Sequence, residues 1–402
     1  MSCARVVTVA GDPDREAAVA AALNDRDEVE VVLRCVDRVE MLAAARGAAV
    51  DAVLIVGIPG WLDRQCVDEC ARAAIRTILS SAPGDETDRL RDWGVILVPH
   101  DAPVDRLVRA CVAVDAPPPP PVSTQPSTPR GKLVAFWGSK GSPGTTTLAY
   151  ETAVQLAAAE PETLLIDGDP YGGDLVQLAG VVEELPTIIW AAQMAAKEEL
   201  DAARLAADLR RLGEHGPVFL PGLPHAELWP EVSEFGWRQL LVVARAAFRF
   251  AVCDVGFCLE PDPSPYPGAG AGRNRLARAT VAGADKIVAV CRADPIGMKN
   301  FLWSFSLLRS LADVDDIYIV ANRVRPGQER EIGDLLRGHL GKRPVAYVPD
   351  RPVECDRSVR TATPVGRIKG GSDISSAVRG LAAALGADIR ARGLLTRLAG
   401  RR

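Results

Sequence analysis

Apolar residues in this chain come in short runs that alternate with stretches of helical periodicity. Near the N-terminus RVVTVA (5–10), VEVVLRCV (29–36), DAVLIVGI (51–58), IRTILSS (75–81) and VILVP (95–99) read as strands. Between and after them DREAAVAAAL (14–23), RVEMLAAARG (38–47), RQCVDECARAA (64–74), DETDRLRDWG (85–94) and PVDRLVRACVAV (103–114) read as helices. Strands alternating with helices in this way predict a doubly wound α/β domain with a parallel sheet.

The alternation stops at DAPPPPPVSTQPSTPRG (115–131), where consecutive prolines rule out a core and favour an extended, semi-rigid linker. It then resumes. KLVAFWG (132–138), ETLLIDGD (162–169), PVFLPGL (217–223), FAVCDVG (250–256), KIVAVCRA (286–293), DIYIVANRV (316–324) and VAYVPD (345–350) read as strands. Helices are expected over 145–159, 235–248, 299–312 and 329–340, with a last one from Ser375. The Ala-, Leu-, Glu- and Arg-rich run 190–212 reads as one long helix. The Pro/Gly-rich run 260–274 reads as a loop. The expected domains are thus 1–114, a linker 115–131, a larger α/β domain 132–388 and a basic tail 389–402.

Composition narrows the function classes. Hydrophobic residues at 48 % and charged residues at 25 % are ordinary for a globular protein, and a net charge of -5 argues against wholesale nucleic-acid binding. The nine cysteines and four histidines follow no metal-ligand spacing and read as buried thiols in a reducing compartment. The N-terminus lacks a basic start and an apolar run, and no apolar stretch approaches the roughly 20 residues of a membrane span, so a cytoplasmic location is expected.

The chemistry concentrates at FWGSKGSPGTTTLA (136–149). An apolar strand, a Gly-containing loop and a helix N-terminus together cradle phosphates, because backbone N–H groups point into the loop and the helix dipole adds positive potential. Against the usual G-x-x-x-x-G-K-[ST], the window SKGSPGTT keeps Gly144 and Thr146, has Ser139 for the first glycine and has Thr145 for the lysine. A Ser/Gly/Pro turn before a helix also arises with no ligand. Asp167 and Asp169 end one apolar strand and Asp254 another, positions that are also ordinary solvated strand ends.

Taken together and in order, these pieces resemble the MinD/ParA family of P-loop ATPases over residues 132–385. Lys140, Gly141, Gly144 and Thr146 match its deviant loop K-G-G-x-G-K-[ST], while Ser142 and Thr145 depart from it. The resemblance implies ATP and Mg2+ as ligands. Lys140, Gly141, Ser142, Gly144, Thr145, Thr146 and Thr147 would line the phosphates, with Lys140 and Asp169 in catalytic roles. Thr146, Asp167 and Asp254 would serve the metal, directly or through water. Asn322, Arg323, Pro349 and Asp350 would lie near the base. Thr145 offers a neutral hydroxyl where a lysine offers a charge. Charged hydrogen bonds contribute about 1.5–3 kcal/mol against about 0.5–1.5 for neutral ones, so binding weakens roughly tenfold and hydrolysis more. At most a weak ATPase is expected.

Residues 1–114 resemble a receiver domain, with Asp12 and Asp14 as its acidic pair, but Gly57 stands at the phosphoacceptor position and His100 at the lysine's. A receiver-like domain, a linker and a MinD-like domain is the layout of the CpaE/TadZ, septum-site-determining branch, and DGDPYGGDLVQLAG (167–180) resembles that branch's switch. This implies a spatial regulator in cell division or Flp-pilus assembly, a homodimer, and polar, septal or pilus-assembly partners, with no specific nucleic acid. In the tail, Leu394, Leu395 and Leu398 share a helical face beside Arg390, Arg392, Arg397, Arg401 and Arg402, a pattern suited to peripheral contact with an anionic membrane. The competing reading is a scaffold that keeps the fold without nucleotide chemistry.

Overall fold

The computed structural model describes residues 3–47, 49–112, 131–182, 185–261 and 272–388. They fall into two compact units, one of residues 3–112 and one of 131–261 with 273–388. Most of the expected linker 115–131 and the whole tail 389–402 lie outside the described residues.

The first unit runs β1 (Ala4–Ala10), α1 (Pro13–Asn24), β2 (Val29–Cys35), α2 (Arg38–Gly47), β3 (Ala52–Val56), α3 (Arg64–Arg72), β4 (Arg76–Ser81), α4 (Asp85–Asp92), β5 (Ile96–Pro99) and α5 (Val104–Val112). Its strands are all parallel in the order β2-β1-β3-β4-β5, the flavodoxin-like doubly wound order that receiver domains share. Alternate residues of one strand feed opposite cores: Val53 and Ile55 pack under α2 and α3, Leu54 and Val56 under α1 and α5. The Glu16 carboxylate is buried within this unit. Burial raises the Glu16 carboxyl, but hydrogen bonds from Arg34 and Thr8 outweigh it and hold Glu16 below the usual carboxylate range.

At the C-terminal edge of this sheet a receiver would hold its phosphoacceptor pocket. Gly57 takes φ +73°, its N–H bonds Ser80 O at 2.9 Å, and its carbonyl lies where a Cβ on Gly11 would come within 2.3 Å. Asp12 caps α1 through the Arg15 N–H instead of facing an acceptor. The Arg15 guanidinium donates to Ser80 O, to Ser80 Oγ at 2.8 Å and to the His100 carbonyl. A cation tied to neutral acceptors bridges the ends of β4 and β5.

The second unit runs β6 (Lys132–Gly138), α6 (Thr145–Ala159), β7 (Thr163–Gly168), α7 (Leu175–Ala179), α8 (Ile188–Ala196), α9 (Ala202–Asp208), β8 (Arg210–Arg211), β9 (Val218–Leu220), α10 (Glu234–Ala247), β10 (Phe250–Val255), α11 (Arg275–Gly283), β11 (Lys286–Arg292), α12 (Pro295–Leu311), β12 (Ile317–Val324), α13 (Glu329–Leu340), β13 (Ala346–Pro349), α14 (Pro352–Thr361) and α15 (Ser372–Ala384). The eight strands are ordered β13-β12-β11-β6-β10-β7-β9-β8, and every pair is parallel except β8 with β9. Trp137 and Ala135 of the central β6 face the core under α8, α10, α11 and α12; Val134 and Phe136 face the core under α6 and α15. A strand buried on both faces explains the unbroken apolar run at 133–137.

Two expectations are corrected, and two helices form where the sequence predicts no element. The long helix over 190–212 is broken: α8 ends at Ala196, Glu198 takes φ +59°, and Asp201 caps α9 through the Arg204 N–H at 2.8 Å. At about 100° per residue a continuous helix would turn Leu205 roughly 140° away from buried Ala192, yet both are buried in one core. The last helix begins at Ser372, not Ser375. Residues 352–361 and 275–283, where the sequence predicts no element, form α14, entered through Pro352 at its first turn, and α11.

Ala74 ends the turn after α3 at φ +58°, exposed, with Ile75 N–H on Cys70 O at 2.8 Å. A left-handed Cβ costs about 1–2 kcal/mol and glycine's extra entropy about 0.5–1. Ala74→Gly is therefore expected to stabilise by about 0.5 kcal/mol, read as a higher urea midpoint with unchanged slope.

Candidate functional site: a phosphate-type loop beside buried carboxylates

The chain leaves β6 at Gly138 and enters α6 at Thr145 through Gly144, which takes φ +91°. Gly141 and Ser142 also take positive φ, +115° and +50°. Two asparagines from distant strands and helices brace this loop. Asn322 Nδ2 donates to Pro143 O at 2.7 Å, and Asn300 Nδ2 donates to Lys140 O at 3.1 Å. A Cβ on Gly144 would come within 2.4 Å of Asn322 Nδ2, so only glycine permits the brace. Gly144 at the N-cap of α6 has no side chain to cap it, and no acidic residue sits in the first turn. The N–H groups of its first turn, which a helix cannot pair internally, are left for an anion at the positive end of a 15-residue helix.

Thr145 lies deep in the loop: a Cβ on Gly138 would come within 2.0 Å of its Oγ1 and 2.6 Å of Pro143 Cγ. The hydroxyl packs against the end of β6. Lys140 is exposed, and its ammonium has no hydrogen-bond or ion-pair partner among the described residues.

Strand register builds the acidic half of the site. In the parallel pairing of β7 with β10, Asp254 stands directly opposite Asp167, and on the other side of β10 it stands opposite Phe136, two residues before the loop. Both carboxylates are almost fully buried. Asp167 accepts the N–H of Asp169 and of Leu175, each at 3.3 Å. A Cβ on Gly173 would strike its Oδ2 at 2.0 Å, so the chain wraps closely over it. Burial pushes Asp167 up to about 7, with the neighbouring charges of Asp169 and Asp174 adding to it. Burial, then the charge of Asp167, push Asp254 well above the carboxylate range, against a hydrogen bond with the Thr146 side chain that lowers it. Asp169 is also raised by burial, offset by the Tyr171 N–H at 2.9 Å and by the Arg273 guanidinium.

Carboxylates that resist ionising together form a site that a cation relieves. Among the described residues no three His, Cys, Asp or Glu side chains are placed to hold a metal ion alone. The donor set fits Mg2+ held by the Thr146 hydroxyl and by waters that the carboxylates accept. The loop, its free N–H groups and Lys140 fit a polyphosphate.

The remaining sequence-derived residues lie at the ends of β12 and β13. Asn322 is buried against the loop, with its Oδ1 taking the Arg323 N–H at 2.9 Å. Arg323 is exposed at φ +57°, at an irregularity in the pairing of β12 with β13. The Asp350 N–H bonds Val324 O at 3.1 Å beside Pro349. Thr147 is half-buried in the first turn of α6.

Sequence reasoning missed Asn300, Glu151, Arg273 and Asn274. No local signal marks the first, third or fourth; each meets its partner more than a hundred residues away. Glu151, on α6, takes the Val365 N–H at 2.7 Å while its other oxygen is buried without a hydrogen-bond partner among the described residues. Burial pushes it up to about 7.

No family model matches the chain, and no curated protein matches it. Solved structures do. A ParA family ATPase from Chlorobium tepidum superposes with a TM-score of 0.54 at 15 % identity, covering 63 % of this chain and 98 % of that one. The septum site-determining protein MinD of Pyrococcus horikoshii, complexed with Mg-ADP, gives 0.50 at 16 % identity, with 64 % and 96 % covered. The cell division ATPase MinD of Pyrococcus furiosus gives 0.50 at 16 % identity, with 63 % and 98 % covered. The chain carries the fold of these ATPases. No helix among the described residues is long and apolar enough to cross a membrane.

Asn322→Ala removes a buried amide bond and is expected to destabilise the protein by about 1–2 kcal/mol in denaturant unfolding. Glu151 carries a pH signature. Its folded pKa of about 7 lies above the unfolded value, so wild-type stability falls as pH rises from about 4.5 to 7 and stays lower above that. Glu151→Gln removes this dependence. Melting at pH 5 and pH 8 is expected to show the variant gaining on wild type at pH 8, by on the order of 3 kcal/mol for full expression of the shift.

Proposed function

We propose that this chain is a nucleotide-switched spatial regulator that binds Mg·ATP in the loop 138–147. The observation that carries this reading is the conjunction at adjacent strand ends of uncapped helix N–H groups, the Thr146 hydroxyl and the paired Asp254 and Asp167. That arrangement offers positive potential to phosphates and a cation-seeking pocket next to it. The same fold holds Mg-ADP in the Pyrococcus horikoshii protein, which supports the choice of ligand.

The roles follow from the chemistry of each group. Backbone N–H groups of 141, 142 and 144–147 would bind phosphate oxygens, Lys140 would add a mobile charge, and Thr146 with Asp254 and Asp167 would hold the hydrated metal. Asp169, at the mouth of the carboxylate cluster, orients water toward the terminal phosphate. Mg2+ supplies charge neutralisation across the phosphates. Thr145 offers no charge to the transition state, so turnover is slow and the nucleotide acts chiefly by controlling dimerisation. In function the chain belongs with positioning proteins of the CpaE/TadZ type, acting in septum placement or pilus assembly with polar partners. The receiver-like unit, its pocket bridged by Arg15, serves as a phosphorylation-independent contact module. The Thr145 hydroxyl, packed against Gly138 at the end of β6, also favours a second reading, a scaffold with the fold alone.

Calorimetry with Mg·ATP decides between them. Micromolar binding in the wild type, lost in Lys140→Ala and weakened in Asp169→Ala, is the expected outcome. Absence of binding up to millimolar ATP would leave the scaffold. Thr145→Lys is expected to tighten ATP roughly tenfold in the first case.

A further inference from the structure

Two loops border the carboxylate cluster: residues 169–174 after β7 and residues 256–260 after β10. They are joined through a third segment. The Arg273 guanidinium donates to Pro170 O from Nε at 3.1 Å and from Nη2 at 3.0 Å, and Nη2 also reaches Ala226 O at 3.3 Å. Its carbon lies 4.3 Å over the Tyr171 ring. The Tyr171 hydroxyl pairs with Asn274 Oδ1 at 2.7 Å, and Asn274 Nδ2 donates to Glu260 O at 3.0 Å. Tyr171 also packs on Phe257 with ring centroids 5.2 Å apart. Asn274 is buried; Tyr171 and Phe257 remain partly exposed.

We propose that Arg273 is a positioning residue which, with Tyr171 and Asn274, latches the 169–174 loop to the 256–260 loop so that the two open and close as one unit. Each loop carries, or directly follows, a carboxylate of the cluster. Asp169 Oδ1 accepts the Tyr171 N–H, so the group that orients Tyr171 also orients Asp169. Gly256, two residues after Asp254, approaches Asp169 closely enough that a Cβ there would come within 2.9 Å of its Oδ1. Tyr171, stacked under one side chain and bonded to the next in sequence, makes the coupling stiff. The planar fork is essential: it places two donors on one carbonyl and a flat face on the ring, which a lysine ammonium cannot do. For its effect on nucleotide discrimination the inference rests on the function proposed above; the latch itself does not.

The test has two arms. Hydrogen exchange on the nucleotide-free full chain reads the latch. Arg273→Ala is expected to raise exchange at least tenfold in both 169–174 and 256–260, with the strands β6 and β11 unchanged, and Arg273→Lys is expected to behave like Arg273→Ala. Tyr171→Phe keeps the ring and loses the hydroxyl; it should loosen 256–260 even if Arg273→Ala fails to fold. Exchange that changes in one loop only in Arg273→Ala, a lysine variant indistinguishable from wild type, or no loosening of 256–260 in Tyr171→Phe would overturn the latch. Calorimetry with Mg·ATP and Mg·ADP reads its use. Arg273→Ala is expected to lose at least tenfold for ATP and less than threefold for ADP, and equal losses would overturn the coupling to nucleotide state. A wild type that binds neither nucleotide refutes the proposed function, while the exchange arm still decides the latch.

Discussion

The pairing of β10 with β7 sets Asp254 opposite Asp167 in an interior that water scarcely reaches, and the rest of the site is arranged around that opposition. Two ionised carboxylates at adjacent strand ends repel, and burial removes the solvent that would screen them. The protein answers with hydrogen bonds. Backbone N–H groups of Asp169 and Leu175 hold Asp167, and the Thr146 side chain bonds Asp254. Each answer ties a different segment to the cluster: the loop after β7, the start of α7 and the first turn of α6. A cation placed there would change the balance of all three at once, which is how a local electrostatic event reaches surface loops.

The loop before α6 shows the complementary economy. The groups it would offer a phosphate are backbone N–H, and its shape is held by Asn322 and Asn300. A cradle built in this way keeps its form whatever side chain follows Gly144. Under the proposed function, Thr145 alters charge without altering the scaffold and would lower the transition-state advantage more than the ground-state affinity. A switch that binds and releases without rapid hydrolysis is a consistent use of such a loop.

The first unit makes the same point by a different route. Its sheet order and two-sided core follow from five apolar runs, but the pocket at its C-terminal edge is bridged by Arg15 rather than lined with acid. The absence of an acceptor was legible at Gly57. That an arginine from α1 crosses to β4 and β5 was not, because its partners are 65 and 85 positions away and are backbone or hydroxyl groups with no sequence signature. The helix break at 197–201 stood midway: Asp201 is a visible cap, yet the run of strong helix formers hides it, and the decision belongs to Leu205, which must reach the core.

By itself the sequence determined what depends on local pattern. Apolar periodicity set the strands and most helices, consecutive prolines divided the chain, and Lys140 to Thr146 with Asp167, Asp169 and Asp254 marked the phosphate-type loop and its carboxylates. Tertiary structure decided what depends on strand order and long-range reach. It placed β10 between β6 and β7, which sets Asp254 against Asp167; it turned Asn322 toward the loop; it closed Arg273 over Tyr171. The physical reason is common to all three. Parallel strands bring together residues separated by whole crossover connections, so the electrostatics of a site at their ends exist only once the sheet has formed.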